Sequence, residues 1–220
     1  MKSFKIHIGT TVALMDDNIN TDQILPSRFL SRISKKGFGE CLFANWRYVQ
    51  NDQTQDEIEV PDFVLNQPDR RQASILITGD NFAGGSSREH AVWALDDWGI
   101  RCVIAGGFSD IFYNNSFKNG LLAITLPLAD RQALASLSGD QLVTINLETQ
   151  EVHAPCGHYH FDIDPEVRHK LLYGIDDIVE TLNHAEDISA YESKWDDFYE
   201  PGAKALNYDD ASLKSKLPNY

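Results

Sequence analysis

Cysteine is scarce in this chain. Its 220 residues hold three, Cys41, Cys102 and Cys156, odd in number and far apart. That pattern excludes a disulfide framework and lacks the close spacing of an iron–sulfur ligand set, so reduced thiols are expected. Positive charge is short as well: 19 Lys and Arg stand against 33 Asp and Glu, a net charge of −14. Nothing supplies the basic stripe of a nucleic-acid surface, and an anionic membrane would repel the chain. No apolar run approaches the length of a bilayer span, and Met1 to Lys5 lead into no signal-peptide core. A cytoplasmic protein is expected. Two phosphate-binding patterns are also missing around the glycines at 79–85: no Lys-Ser or Lys-Thr follows them, and the G-x-G-x-x-G spacing is absent.

What remains is an ordinary globular composition, 42% hydrophobic and 24% charged, long enough to bury a substantial core. The chain is organised around residues 79–95. An apolar run, Ala73 to Thr78, precedes this stretch, and a second, Cys102 to Ala105, follows it. Between them Val92, Leu95 and Trp98 recur at helical spacing, which predicts a strand–loop–helix–strand unit. Ser86 and Glu89 have the Ser-x-x-Glu spacing of a capping box, so the helix is expected to start at Ser86. Its first-turn N–H groups would then face an anion, with Arg88 as a two-pronged carboxylate donor.

The remaining pattern extends this unit. Lys5 to Leu14 reads as a strand interrupted by Gly9, and Asp16 to Pro26 as an acidic turn. Residues 50–60 are polar and aperiodic, and are read as an exposed loop. Ser109 opens a short helix that buries Phe112 and Phe117, and Gly120 to Leu126 gives a third apolar strand. Two successive crossovers imply a parallel sheet. Asp130 to Leu137 is helical in character, whereas Gln141 to Leu147 and Tyr159 to Ile163 alternate as antiparallel strands do. Helices follow from Pro165. In Cys156-Gly157-His158-Tyr159-His160 the two histidines would share a strand face. With a fourth ligand missing, they are read as exposed strand histidines, and no metal is assigned to this chain.

Gly85-Ser86-Ser87-Arg88-Glu89-His90-Ala91 resembles the signature loop of the swivelling domain of the aconitase superfamily. Asn18, Thr21, Asp22, Ile24 and Pro26 match the superfamily's Asn-x-x-Thr-Asp-x-Ile-x-Pro loop. Gly174, Asp176, Ile178, Thr181-Leu182, His184 and Ala190-Tyr191-Glu192 resemble its C-terminal section. Within the superfamily the likeness is to the small subunits of the two-chain isopropylmalate isomerases. It implies an α/β fold: a swivelling β/β/α domain with a parallel central sheet, an antiparallel layer and C-terminal helices. That domain is expected over 1–195, with an acidic tail at 196–220.

The resemblance also implies a hydro-lyase that dehydrates and rehydrates a hydroxy-dicarboxylate, inactive without a large subunit that holds a [4Fe–4S] cluster. Ser86 would be the catalytic base, and Ser87 and Arg88 the substrate-binding pair. Asp22, Thr21, Glu89 and His90 would support them. Relatives often carry Lys at the position of Ser27, so Arg28 joins the candidate substrate contacts. Many relatives also carry Cys where this chain has Gly84. A homoaconitase- or citraconate-type small subunit stays open, as does a non-catalytic acid-binding module.

Overall fold

The computed structural model describes residues 1–31, 34, 36–51, 57–182 and 184–193. The expected boundary at 195 and the tail at 196–220 lie outside them. Contacts divide the chain into two compact units, Met1–Asp177 and Ile178–Tyr220. The first opens with β1 (Ile6–Leu14), α1 (Thr21–Ile24), α2 (Ala44–Arg47), β2 (Tyr48–Gln50) and β3 (Glu57–Glu59). The centre of the chain follows as β4 (Ile75–Thr78), α3 (Glu89–Trp98), β5 (Cys102–Ala105), α4 (Asp110–Lys118), β6 (Leu122–Thr125) and α5 (Leu128–Ala135). It closes with β7 (Leu142–Asn146), β8 (Glu151–Ala154), β9 (Gly157–His160) and α6 (Pro165–Tyr173). Two helices come last, α7 (Asp177–Leu182) and α8 (Ala185–Glu192).

Seven strands form one sheet in the order β6-β5-β4-β1-β7-β8-β9. The long first strand joins two different halves. Thr11 to Leu14 pair in parallel with Ile75 to Thr78, while Ile6 to Thr10 pair antiparallel with Asn146 to Leu142. The expected antiparallel layer is therefore the far half of the same sheet. Side chains alternate across it, as a period of two requires. Leu76 and Val103 join one core with Ala91, Val92 and Leu95 of α3. Ile75, Ile77, Cys102 and Ile104 join the other, with Leu134 of α5 and Leu171 of α6. The polar stretch read as a loop at 50–60 differs from expectation: β2 and β3 pair antiparallel, Tyr48 opposite Glu59 and Gln50 opposite Glu57.

Gly9 has a packing reason. A Cβ there would sit 2.0 Å from the Ser74 hydroxyl, which approaches to meet His7 Nε2 at 2.8 Å. Burial lowers the pKa of His7 below its ordinary 6.5, and Arg101 and Lys2 push the same way. The folded state thus favours the neutral ring. Its contribution to stability is complete above the unfolded pKa of 6.5 and is lost as pH falls through the lower folded value. Urea midpoints measured from pH 7 to pH 5 should fall less steeply for His7→Gln than for the parent chain. Parallel slopes would mean that His7 gives no such linkage.

Candidate active site

Parallel strands end together, and sites in such sheets gather at their carboxyl ends. Here the loops leaving β1, β4 and β5 keep pairing beyond the strands. The Gly106 N–H donates to Gly79 O at 3.1 Å, and the Phe82 N–H to Gly107 O at 2.9 Å. On the other side the Asn18 N–H donates to Asp80 O at 2.8 Å, the Ala83 N–H to Ile19 O at 2.6 Å and the Thr21 N–H to Gly84 O at 3.0 Å. The loop after β4 is thus held between two neighbours as far as Gly84. Ala83 is left-handed at φ 60° and almost fully buried. A non-glycine residue keeps that conformation only where its surroundings impose it. Past Gly84 the pairing stops, and Gly85, Ser86 and Ser87 are exposed.

The expected capping box is not formed. Helix α3 begins at Glu89, three residues later than the pattern suggested, and its N-cap, Arg88, makes no side-chain cap. The cause is distant in sequence. The Glu89 carboxylate accepts from Asn119 Nδ2 at 2.8 Å and from Trp93 Nε1 at 3.3 Å, so it does not reach back along the helix. Among the described residues neither the Ser86 nor the Ser87 hydroxyl has a hydrogen-bond partner.

Arg88 is fixed from the acidic turn. Its Nη1 and Nη2 donate to Asp22 Oδ1 and Oδ2 at 2.5 and 3.1 Å, and Nη1 also reaches Leu25 O at 3.4 Å. A guanidinium has five N–H donors. These three contacts leave Nε–H and one Nη2–H, the side-on fork that a second carboxylate can take. Thr21 lies beneath the exposed turn: a Cβ on Gly85 would sit 3.6 Å from its hydroxyl oxygen. That hydroxyl is buried without a partner among the described residues. His90 packs its ring against Trp93 and Phe38, with centroids 4.5 and 5.5 Å away.

The structure brings together Ser86, Ser87, Arg88, Asp22 and Thr21, with Glu89 and His90 anchoring the helix behind them. Arg28 stands apart in its contacts. It donates to Asn45 at 2.5 Å, lies 3.7 Å from Glu57 and stacks on Phe29, and none of these partners belongs to the signature loop. Sequence reasoning missed the brace under the loop. Arg131, 2% exposed, donates to Thr78 O and Leu126 O and pairs with Asp80 at 2.5 Å. Its place three residues before Leu134, on the face of α5 that enters the core, was the available signal.

A model of the aconitase C-terminal domain matches residues 1–129, which carry every loop of this site. The 3-isopropylmalate dehydratase small subunit of Streptococcus sanguinis is 56% identical over 192 residues, 87% of this chain and 96% of its own length. That of Listeria monocytogenes is 54% identical over 196 residues, 89% of this chain and 99% of its own. The crystal structure of 3-isopropylmalate dehydratase from Methanocaldococcus jannaschii shares the fold, with a TM-score of 0.59. It has 22% identity and covers 86% of this chain and 98% of that one. Fold and loops thus define an aconitase-type C-terminal domain. The chain belongs to the family of 3-isopropylmalate dehydratase small subunits.

Proposed function

We propose that this chain is one half of a two-chain hydro-lyase that interconverts 2- and 3-isopropylmalate by dehydration and rehydration, the step such enzymes supply to leucine biosynthesis. The large subunit would bring a [4Fe–4S] cluster. The thiols of this chain do not suit a cluster of its own: Cys41 lies in one core, Cys102 in the other and Cys156 in the β8–β9 turn. Burial also drives the Cys102 thiol far above its ordinary range, away from the thiolate that ligation needs. When bound, the cluster supplies a Lewis acid for the departing hydroxide.

This chain would supply the rest. Ser86 removes and returns the proton on the neighbouring carbon. A serine hydroxyl is a weak base, so it acts as an alkoxide held by backbone N–H groups of the Gly84-Gly85 turn and the uncapped start of α3. Arg88 grips a substrate carboxylate through its side-on fork, and Ser87 adds a hydroxyl. Asp22 keeps the guanidinium in place, and Thr21 supports the turn. Arg28, held at an exposed position by Asn45 and Glu57, stays a second candidate contact for the substrate.

One observation carries the reading: two serine hydroxyls without partners among the described residues, beside an arginine clamped by Asp22, on a loop stitched into the sheet edge. The test is reconstitution with the cognate large subunit and its cluster, followed by assays on both isopropylmalates, homoaconitate and citraconate. Turnover of isopropylmalate by the pair, and by neither chain alone, is expected. Preference for another acid would move the assignment to a sister activity, and no turnover of any would sink it. Within the active pair, Arg88→Lys keeps the charge but loses the fork. Its kcat/KM should fall by about 10- to 100-fold, the worth of a charged hydrogen bond, chiefly through KM.

A further inference from the structure

The β8–β9 hairpin ends the sheet and carries a second chemistry, independent of the site above. Its register sets Glu151 opposite His160 and His153 opposite His158. Successive strand residues face opposite ways. Val152, fully buried, and Tyr159 therefore point to one side, and Glu151, His153, His158 and His160 occupy four adjacent corners on the other. The sequence motif Cys156-x-His158-x-His160 hid this arrangement, because its key member, His153, arrives from the neighbouring strand.

The ring of His153 is oriented from both ends. Its Nε2 lies 3.1 Å from Glu151 Oε2, which places the proton on Nε2 and leaves the lone pair on Nδ1. That Nδ1 faces His158 Nδ1 at 2.5 Å, with the rings edge to face. Two imidazole nitrogens in this position either share one proton or hold a cation between them. A carboxylate on the outer nitrogen of a histidine is the support that metal-bound histidines receive in zinc sites. His160 sits two residues from His158, 63% exposed, 3.6 Å from Asp162. Among the described residues no three such side chains already meet at one point, so the His160 ring must turn inward to complete a set.

We propose that this face binds a divalent transition-metal ion of the zinc or nickel class, through Nδ1 of His153 and of His158 with His160 as third ligand and Glu151 behind His153. Bonds of ~2.0–2.1 Å to each nitrogen at a tetrahedral angle set the two nitrogens roughly 3.3 Å apart, so the rings must open by about 0.8 Å from their present 2.5 Å. The ion would clip the last strand of the sheet to its neighbour. Cys156 is not a ligand: its sulfur accepts from the Tyr159 hydroxyl at 3.3 Å.

The test is calorimetric titration of the untagged full chain, freed of metal with a chelator, with zinc chloride and with nickel chloride at pH 7.5. One ion per chain is expected. His153→Asn and His158→Asn should each weaken binding by at least about 100-fold, and Glu151→Gln by about tenfold, as loss of a supporting carboxylate does. His160→Asn should weaken it less than either, and His169→Asn, on α6, should change nothing. All these rings lie at the surface, so circular dichroism should show every variant folded. Absence of binding, or binding that survives both His153→Asn and His158→Asn, overturns the site. So does binding that Cys156→Ser abolishes while His153→Asn leaves it intact.

Discussion

Ser86→Ala should lower kcat of the reconstituted pair by roughly 10³-fold or more, near the upper range for loss of a positioned proton-transfer group. The same change should leave the urea midpoint of the isolated chain where it was. The first half rests on the role proposed for Ser86, and the second on the structure. Ser86 is exposed, and its hydroxyl has no partner among the described residues. Substitutions at such positions stay within about 0.5 kcal/mol. Had Ser86 capped α3, alanine would cost about 1 kcal/mol in the chain alone. Pull-down of the large subunit by the variant separates lost chemistry from lost assembly. A Ser86→Ala pair that assembles and keeps a tenth of parental turnover would remove Ser86 from the mechanism.

The second large effect is structural. Gly106 follows β5 directly, and a Cβ there would lie 1.7 Å from Asp80 Oδ1 and 2.4 Å from Arg131 Nη2. Gly106→Ala must therefore part the carboxylate from the guanidinium. Arg131 is almost fully buried and keeps Thr78 O and Leu126 O, while Asp80 is 64% exposed, so the loss should be that of one charged hydrogen bond, about 1.5–3 kcal/mol. Urea unfolding should show that loss, and activity of the assembled pair should fall with it, since Asp80 lies on the loop that leads from β4 to the serines and its carbonyl accepts from the Asn18 N–H. The neighbouring glycine is the internal control. A Cβ on Gly107 meets nothing within 4 Å, so Gly107→Ala should be near neutral. Equal stability of the two variants would mean that the Asp80–Arg131 contact braces nothing.

Sequence made part of this legible. The apolar runs became β4, β5 and β6, and Ser109 caps α4, its hydroxyl accepting from the Phe112 N–H at 3.3 Å. Each of these rests on composition or on neighbours a few residues apart. What escaped depends on distant partners. Glu89 is drawn away from capping by Asn119, thirty residues on, and Arg131 enters the core to meet Asp80, fifty-one residues back. β8 escaped because its four residues, Glu151 to Ala154, alternate too briefly to stand out from a turn. The pairing of Asp22 with Arg88 joins two loops that only the family resemblance linked in the sequence.

The double duty of β1 bears on how the protein is made. A ribosome delivers this strand before either neighbour: Thr11 waits for Ile75, and Thr10 for Leu142. At 5–20 residues per second, the second wait is roughly 7 to 26 seconds. Until β4 emerges, the shorter of the two waits, Val12 and Leu14, both core residues, have no neighbouring strand to pair with. Pairings so remote in sequence also form slowly once the chain is released. In the nascent polypeptide β1 is thus the apolar segment that waits longest for its full set of neighbours.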